Sequence, residues 1–431
     1  MFNLPLALLC GATTLLATGG SVKAQTSAVP VTQFLASLGV NTHVAQGYDY
    51  EKYVPALRYL GVKAVRDATG NIPNLVALHQ KTGVLIDIFN AGDLKGLLLA
   101  GRALAAAGAL LSFEGANEPN NFPITYDGQT GGGSGSWLSV ANFQRDLYLS
   151  VKGDTVLKGY PVFHVSEGGA EIDNVGMQWL AIPVGSEIEM PDGTTYADYA
   201  NVHNYVIGTC HSYGDNQAWQ AAAPSWTRCW DGLFGEYGRT WRRGFQGYTD
   251  AQLPAVPRVT TETGWDSVAN PGGEAVQGKV LVNTYLAQYA RGWSYTFIYE
   301  LGDGEGGGGN QGLFHADWSP KAAATYIHNL TSILADTGTL ASGHALSYSI
   351  ANAPLTVHDL LMQKSSGAFE LVVWGERVQG SNDVVVRFDS PHAVVNVYDV
   401  TSGTTPLRTF ANVSSVPLTL SDHAVVVEVM P

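Results

Sequence analysis

Two segments of the chain carry an acid at the end of an apolar, β-branched run: Phe113-Glu114-Gly115-Ala116-Asn117-Glu118-Pro119-Asn120 and Val259-Thr260-Thr261-Glu262-Thr263-Gly264-Trp265. A glutamate alone at a strand end is most often a surface or salt-bridge residue. Two carboxyl groups brought face to face are different. One can protonate a leaving oxygen while the other attacks, or activates water, from the opposite side, and cleavage of a glycosidic bond needs that pairing. Glu118 and Glu262 are the candidates for those roles.

For the two acids to meet, the chain between them must bring both strand ends to one face. Eight apolar stretches recur, at 38–44, 62–67, 83–89, 109–115, 161–166, 199–206, 258–263 and 295–301, with helical patterns between them. That alternation is expected of βα units around a parallel sheet, and eight units in roughly 250 to 300 residues have the size of a (β/α)₈ barrel, an α/β fold. All eight strand ends of such a barrel open at one mouth, where Glu118 on strand four and Glu262 on strand seven would lie together. Among the helices, 94–107 is rich in Leu and Ala, and Ser319-Pro320 offers a cap and a first-turn proline to a helix running to Leu334. The glycine-rich stretches 128–135 and 302–309 follow strands four and eight and read as loops of the mouth. Neither ends in Lys-Ser/Thr or opens a clear helix, so a phosphate cradle is disfavoured. From about Asp336 the rhythm changes to short alternating segments, 345–350, 355–362, 369–374, 384–388, 394–400 and 424–429. They predict a small antiparallel β-sandwich. The expected division is an export signal over 1–24, the barrel over 25–335 and the sandwich over 336–431.

With these residues in place, the chain resembles clan A of the glycoside hydrolases, retaining enzymes on a (β/α)₈ barrel in which an Asn-Glu pair ends strand four and a Glu ends strand seven. The resemblance implies Glu118 as acid/base, Glu262 as nucleophile and Asn117 as the residue that holds the sugar's 2-hydroxyl. Arg66, in Val65-Arg66-Asp67 on strand two, is similar to an Arg that the clan often places near the nucleophile. His203-Asn204-Tyr205 resembles the clan's His-x-Tyr at the end of strand six. Tyr205 would then bond Glu262, and His203 would contact substrate or the acid/base. On strand eight, where many members carry a Trp platform, this chain has Tyr299-Glu300, so the first sugar would be floored by Tyr299 or by a loop residue. The Asn-Glu-Pro-Asn run and the trailing sandwich resemble family 39, while His-x-Tyr resembles family 5 as much. A retaining mechanism implies carboxyl groups about 5 to 5.5 Å apart and calls on neither metal nor cofactor.

Other residues add detail. His43 and Asn41 on strand one face the same mouth, within reach of a sugar, and Trp265, which follows the strand-seven acid, is also expected to bind the sugar. Asp87, Glu167, Glu300 and Asp303 fall near it too and read as structural hydrogen-bonding groups. The insertion 207–257 holds Tyr213, Trp219, Trp226, Trp230, Phe234, Tyr237, Trp241 and Tyr248. Flat rings suit the apolar faces of sugars, although most of these are expected to pack the insertion's own core. Residues 4–16 are apolar and Val22-Lys23-Ala24 precedes Gln25, as at the cleavage site of an export signal, which predicts a secreted or periplasmic protein. Cys10 would leave with that signal, and Cys210 and Cys229 are expected to be joined in an oxidising compartment. His79, His164, His315 and His328 lack metal-ligand spacing. With 431 residues and a net charge of −14, the chain has no basic stripe for nucleic acid or an anionic membrane. The expected partner is a neutral carbohydrate, with no membrane contact after signal cleavage. A non-catalytic carbohydrate-binding protein and a transglycosidase are the alternatives. The joint presence of both glutamates with Arg66 and Tyr205 weighs against the first, and product analysis at high acceptor concentration separates the second from hydrolysis.

Overall fold

The computed structural model describes residues 25–133, 135–166, 168, 196–207, 212–222 and 255–431. The expected export signal, Glu167, Cys210, Cys229 and six of the insertion's eight aromatic residues lie outside the described residues.

All eight barrel strands are present and parallel: Leu38–Asn41, Ala64–Ala68, Leu85–Phe89, Leu110–Glu114, Val162–Phe163, Ala200–Val202, Arg258–Thr263 and Trp293–Ile298. They pair in chain order, strand eight lies beside strand one, and a parallel bridge between Phe163 and Tyr199 joins strands five and six. The register sets Asn41, Arg66, Asp87 and Ser112 side by side on neighbouring strands. Because side chains alternate along a strand, Ser112 and Glu114 share a face. The upper barrel is therefore filled by a buried polar layer instead of the branched apolar residues that usually pack such barrels.

The helices around the strands carry ordinary end signals. Tyr50–Leu60 opens at Asp49, whose carboxylate accepts from the Glu51 amide at 3.0 Å, and stops at Gly61 with φ of 72°. The helix expected from Ser319-Pro320 starts later, at Ala322. Ser319 and Lys321 are used elsewhere: the Ser319 hydroxyl donates to Asp317 at 2.6 Å, and the buried Lys321 ammonium donates to Asp303 at 2.7 Å and Ser267 at 3.1 Å. That ammonium ties the loop after strand seven to the loop after strand eight.

The C-terminal region is an antiparallel β-sandwich whose strands are Ala345–Ala351, Val357–Gln363, Phe369–Gly375, Asn382–Asp399, Arg408–Leu420 and Ala424–Val429. Two features depart from the sequence reading. The segments 384–388 and 394–400 form one long strand with a register break between Arg387 and His392, and its partner Arg408–Leu420 was not expected. The short N-terminal strands Gln25–Ser27 and Val29–Pro30, expected with the barrel, pair with Ala345–Ala351 and Val357–Gln363. Alternation along the strands separates two cores: Leu371, Val373, Val425 and Val427 pack within the sandwich, while Val372, Trp374, Ala424 and Val426 pack with the barrel. The contact is fastened by Lys279 on Asp422 at 2.9 Å and by Asn329 on the Val400 carbonyl at 2.7 Å. Among the described residues no helix is long and apolar enough to cross a membrane.

Candidate active site

Strand four delivers Glu118 through a tight passage. At Gly115 a Cβ would lie 2.1 Å from the Gln144 side-chain oxygen and 2.7 Å from the Val165 backbone, so the strand end can pass there only without a side chain. Glu118 then sits at φ of 41°, an uncommon backbone state for a residue with a Cβ. Its carboxylate is fixed by His203 Nδ1 at 2.6 Å and by Asn121 Nδ2, which donates at 2.9 Å. Gly168 clears its space: a Cβ there would stand 2.1 Å from Glu118 Oε1.

Glu262 lies within strand seven. Its Oε1 accepts from Arg66 Nη1 at 2.6 Å and its Oε2 from the Tyr205 hydroxyl at 2.9 Å. Carboxylate oxygens of Glu118 and Glu262 and a ring nitrogen of His203 all lie within 4.8 Å of one another. Both acids line a cavity of about 690 Å³ at the barrel mouth, with Asn117, Arg66, Tyr205, His43 and Tyr299.

Arg66 organises this wall. Nε and Nη2 meet Glu114 at 2.6 and 2.9 Å, Nη2 also donates to Asn117 Oδ1 at 2.7 Å, and Nη1 donates to Asn41 Oδ1 at 3.1 Å as well as to Glu262. The guanidinium carbon stands 4.1 Å from the centre of the Phe89 ring. A guanidinium has only donors, so Asn117 must turn its carbonyl oxygen to Arg66. Asn117 itself lines the cavity, and its amide group is the end not engaged by Arg66.

Glu118 differs electrostatically from a third carboxyl close by. Burial works to raise the Glu118 pKa, but the His203 hydrogen bond and charge, with Asn121 and Arg66, outweigh it and bring it down to about 2. Burial and then the charge of Glu305 push Glu300 up to about 9. His43 lies between this pair and the cavity: its Nδ1 is 3.9 Å from Glu300 and 3.7 Å from Glu305, and its ring meets Tyr299 edge-on at 5.5 Å. Glu118, His203 and Glu262 are close enough together to span a cation. The permanent charge of Arg66, 2.6 Å from Glu262, opposes one there.

No protein-family model and no curated protein sequence matches the chain. Among solved structures it is similar to a family 39 glycoside hydrolase from the gut symbiont Bacteroides cellulosilyticus WH2, with a TM-score of 0.57 and 16% identity, covering 93% of this chain and 81% of that one. It is also similar to a family 30 endoxylanase from Clostridium papyrosolvens C71, with a TM-score of 0.56 and 10% identity over 95% of this chain and 98% of that one. A family 30 xylanase from Clostridium acetobutylicum has a TM-score of 0.55 and 11% identity over 95% and 97% of the two chains. Its fold matches theirs. At such identities the likeness is one of architecture, a (β/α)₈ barrel with a C-terminal β-sandwich.

Most of the residues singled out by sequence meet in this one cavity wall. His203 is fully buried and touches Glu118 and, at 3.0 Å, Thr261. Trp265 is 1% exposed, packs edge-on against Tyr213 at 5.1 Å and is not among the residues that line the cavity. The other described ring of the insertion, Trp219, stacks on His358 of the sandwich at 4.1 Å, again away from the cavity. Sequence reading passed over Glu114, Asn121 and Gly168. Glu114 alone left a signal, because its even spacing from Ser112 directs it into the barrel.

Proposed function

We propose that the chain is a secreted retaining glycoside hydrolase in which Glu262 is the nucleophile and Glu118 the acid/base. The observation that carries the reading is the pair of carboxylates within 4.8 Å on one cavity wall, one held by Arg66 and Tyr205 and the other by His203. That proximity supports double displacement, in which no water stands between nucleophile and anomeric carbon. Glu262 attacks the anomeric carbon and the glycosidic bond breaks as its oxygen takes a proton from Glu118. Water, deprotonated by Glu118, then attacks the glycosyl ester and frees Glu262. His203 Nδ1, 2.6 Å from Glu118 Oε1, fixes the carboxyl that gives up and recovers this proton. The amide hydrogens of Asn117, whose oxygen is taken by Arg66, suit a sugar hydroxyl, and Tyr299 and His43 form the far wall. Residues 25–335 would carry the chemistry, the sandwich would brace the barrel, and Cys210 and Cys229 would be joined, which mass spectrometry without reduction would detect.

Activity on aryl glycosides tests the assignment. Glu262→Ala should lose on the order of 10⁴-fold or more in kcat, and azide should restore turnover with a glycosyl azide of inverted configuration. Glu118→Ala should keep more activity on substrates with good leaving groups, and its azide product should retain configuration. A wild-type hydrolysis product of inverted configuration would overturn the mechanism.

A further inference from the structure

Glu114 has no role in the chemistry above, yet it holds Arg66 at two points, 2.6 and 2.9 Å, and both are buried, Glu114 at 0% and Arg66 at 2% exposure. The five guanidinium hydrogens go to Glu114 twice and once each to Glu262, Asn117 and Asn41, so the group has no freedom left. Thr261, one residue before Glu262, donates its hydroxyl to the same Glu114 carboxylate at 3.1 Å. We propose that Glu114 is a positioning residue of the reaction, which aims Arg66 at Glu262 and Asn117 and serves as its permanent counter-ion when Glu262 becomes an ester.

The inference rests on the assignment of Glu262 as nucleophile. When Glu262 bonds to the anomeric carbon its negative charge disappears, and the fixed cation 2.6 Å away loses one of its two carboxylate partners. A buried guanidinium stripped of its counter-ion is costly. Glu114 prevents this, since its two contacts to Arg66 do not change during turnover. The neighbouring Asp87 cannot replace it, because burial and the charge of Glu114 hold the Asp87 carboxyl in its protonated form, well above the usual range. The Arg66 charge holds Glu114 low, as the carboxylate, against the effect of its burial. The layer thus has one permanent cation, one permanent anion and one anion that the reaction consumes and regenerates.

The test uses the full chain with an activated aryl glycoside that the wild type turns over. Glu114→Gln removes the permanent anion, so Arg66 favours the ionised Glu262 over its ester. Glycosylation, read as the pre-steady-state burst of phenolate, should slow by a hundredfold or more, while deglycosylation should not. The burst disappears, and the acidic limb of kcat/KM moves to lower pH. The other groups facing Glu262 (Tyr205, His203, Glu118, Tyr299 and Glu300) keep their partners, and Asp87, which loses the repulsion of Glu114, keeps the burial that is the main cause of its raised pKa. Glu114→Asp keeps the charge but not the reach, and should slow glycosylation about tenfold with the acidic limb unmoved. A folded Glu114→Gln with wild-type burst and acidic limb overturns the proposal. So does a wild-type glycosylation rate in Glu114→Asp, the deciding variant if Glu114→Gln fails to fold. Turnover surviving in Glu262→Ala removes the nucleophile assignment and this inference together. Its loss beside a wild-type Glu114→Gln removes the inference alone.

Discussion

Arg66 has all five N–H donors on partners between 2.6 and 3.1 Å, whereas His43, across the same mouth, has its Nδ1 3.7 and 3.9 Å from the nearest carboxylates of Glu305 and Glu300. The first distances are hydrogen bonds with fixed direction and the second are not. Strands two, four, six and seven thus hold their charges in a single arrangement, as bond making at one carbon demands. Strands eight and one keep two acids and an imidazole loosely together, with a proton on Glu300. Under the proposed mechanism the tight network would orient the reacting groups, and the looser wall would shape the space for the sugar.

The largest effect that would separate the two sides comes from Arg66→Lys. One ammonium cannot replace a guanidinium that bridges Glu114, Glu262 and Asn117, so at least one buried carboxylate loses its partner. Unfolding by denaturant should show a loss of about 3 to 5 kcal/mol, and kcat should fall by on the order of 10² to 10³. His43→Gln breaks no hydrogen bond at Nδ1 and should cost less than about 1 kcal/mol of stability. Equal losses in the two variants would erase the contrast between the two walls.

Much of the tight side was legible in the sequence, because residue types and strand rank are properties of the chain itself. Glu118 and Glu262 each close an apolar run, and their ranks place them at one mouth. Arg66, His203 and Tyr205 lie on strands whose ends open there too. Glu114 was not legible as a partner of Arg66, since one sequence does not fix the register between strands two and four. Trp265 misled for a related reason. It lies close in sequence to Glu262 but an odd step away, and its ring packs with Tyr213 instead of the cavity. In the sandwich, Arg408–Leu420 escaped notice because most of it is exposed, it is rich in Ser and Thr, and it contains Pro417. Its strand state comes from pairing with Asn382–Asp399, which lies outside its own composition. The pairs made by residues 25–30 are too short to announce themselves.

Glu300 offers a smaller and more selective probe of the loose side. Its pKa is raised from 4.5 to about 9, first by burial and then by Glu305, so the folded chain keeps a proton that the unfolded chain releases above about pH 4.5. Stability attached to this group therefore falls as pH rises between those values, by up to about 1.4 kcal/mol per pH unit. Glu300→Gln mimics the protonated form. Its melting temperature should match the wild type near pH 4.5 and exceed it by several degrees at pH 8, with a flatter profile between. A variant whose melting temperature falls with pH as steeply as the wild type would mean that Glu300 is not the protonated member of the pair.

The smallest effect expected is also the one aimed most directly at substrate shape. Gly306 has φ of 54°, and a Cβ there would lie 2.2 Å from His43 Nε2 and 2.4 Å from the Tyr299 hydroxyl. Gly304 has φ of 80° in the same loop but would bring its Cβ to nothing within 4 Å. Alanine at either position carries the backbone cost of a left-handed residue, about 1 kcal/mol. Only alanine at Gly306 also displaces the two rings that face the cavity. If those rings bind the sugar equally in ground and transition states, Gly306→Ala should raise KM up to about tenfold with little change in kcat. Gly304→Ala should lower the melting temperature by a similar amount and leave KM as it was. A KM that rises equally in both would trace the effect to loop backbone, and one that rises in neither would take His43 and Tyr299 out of the substrate wall.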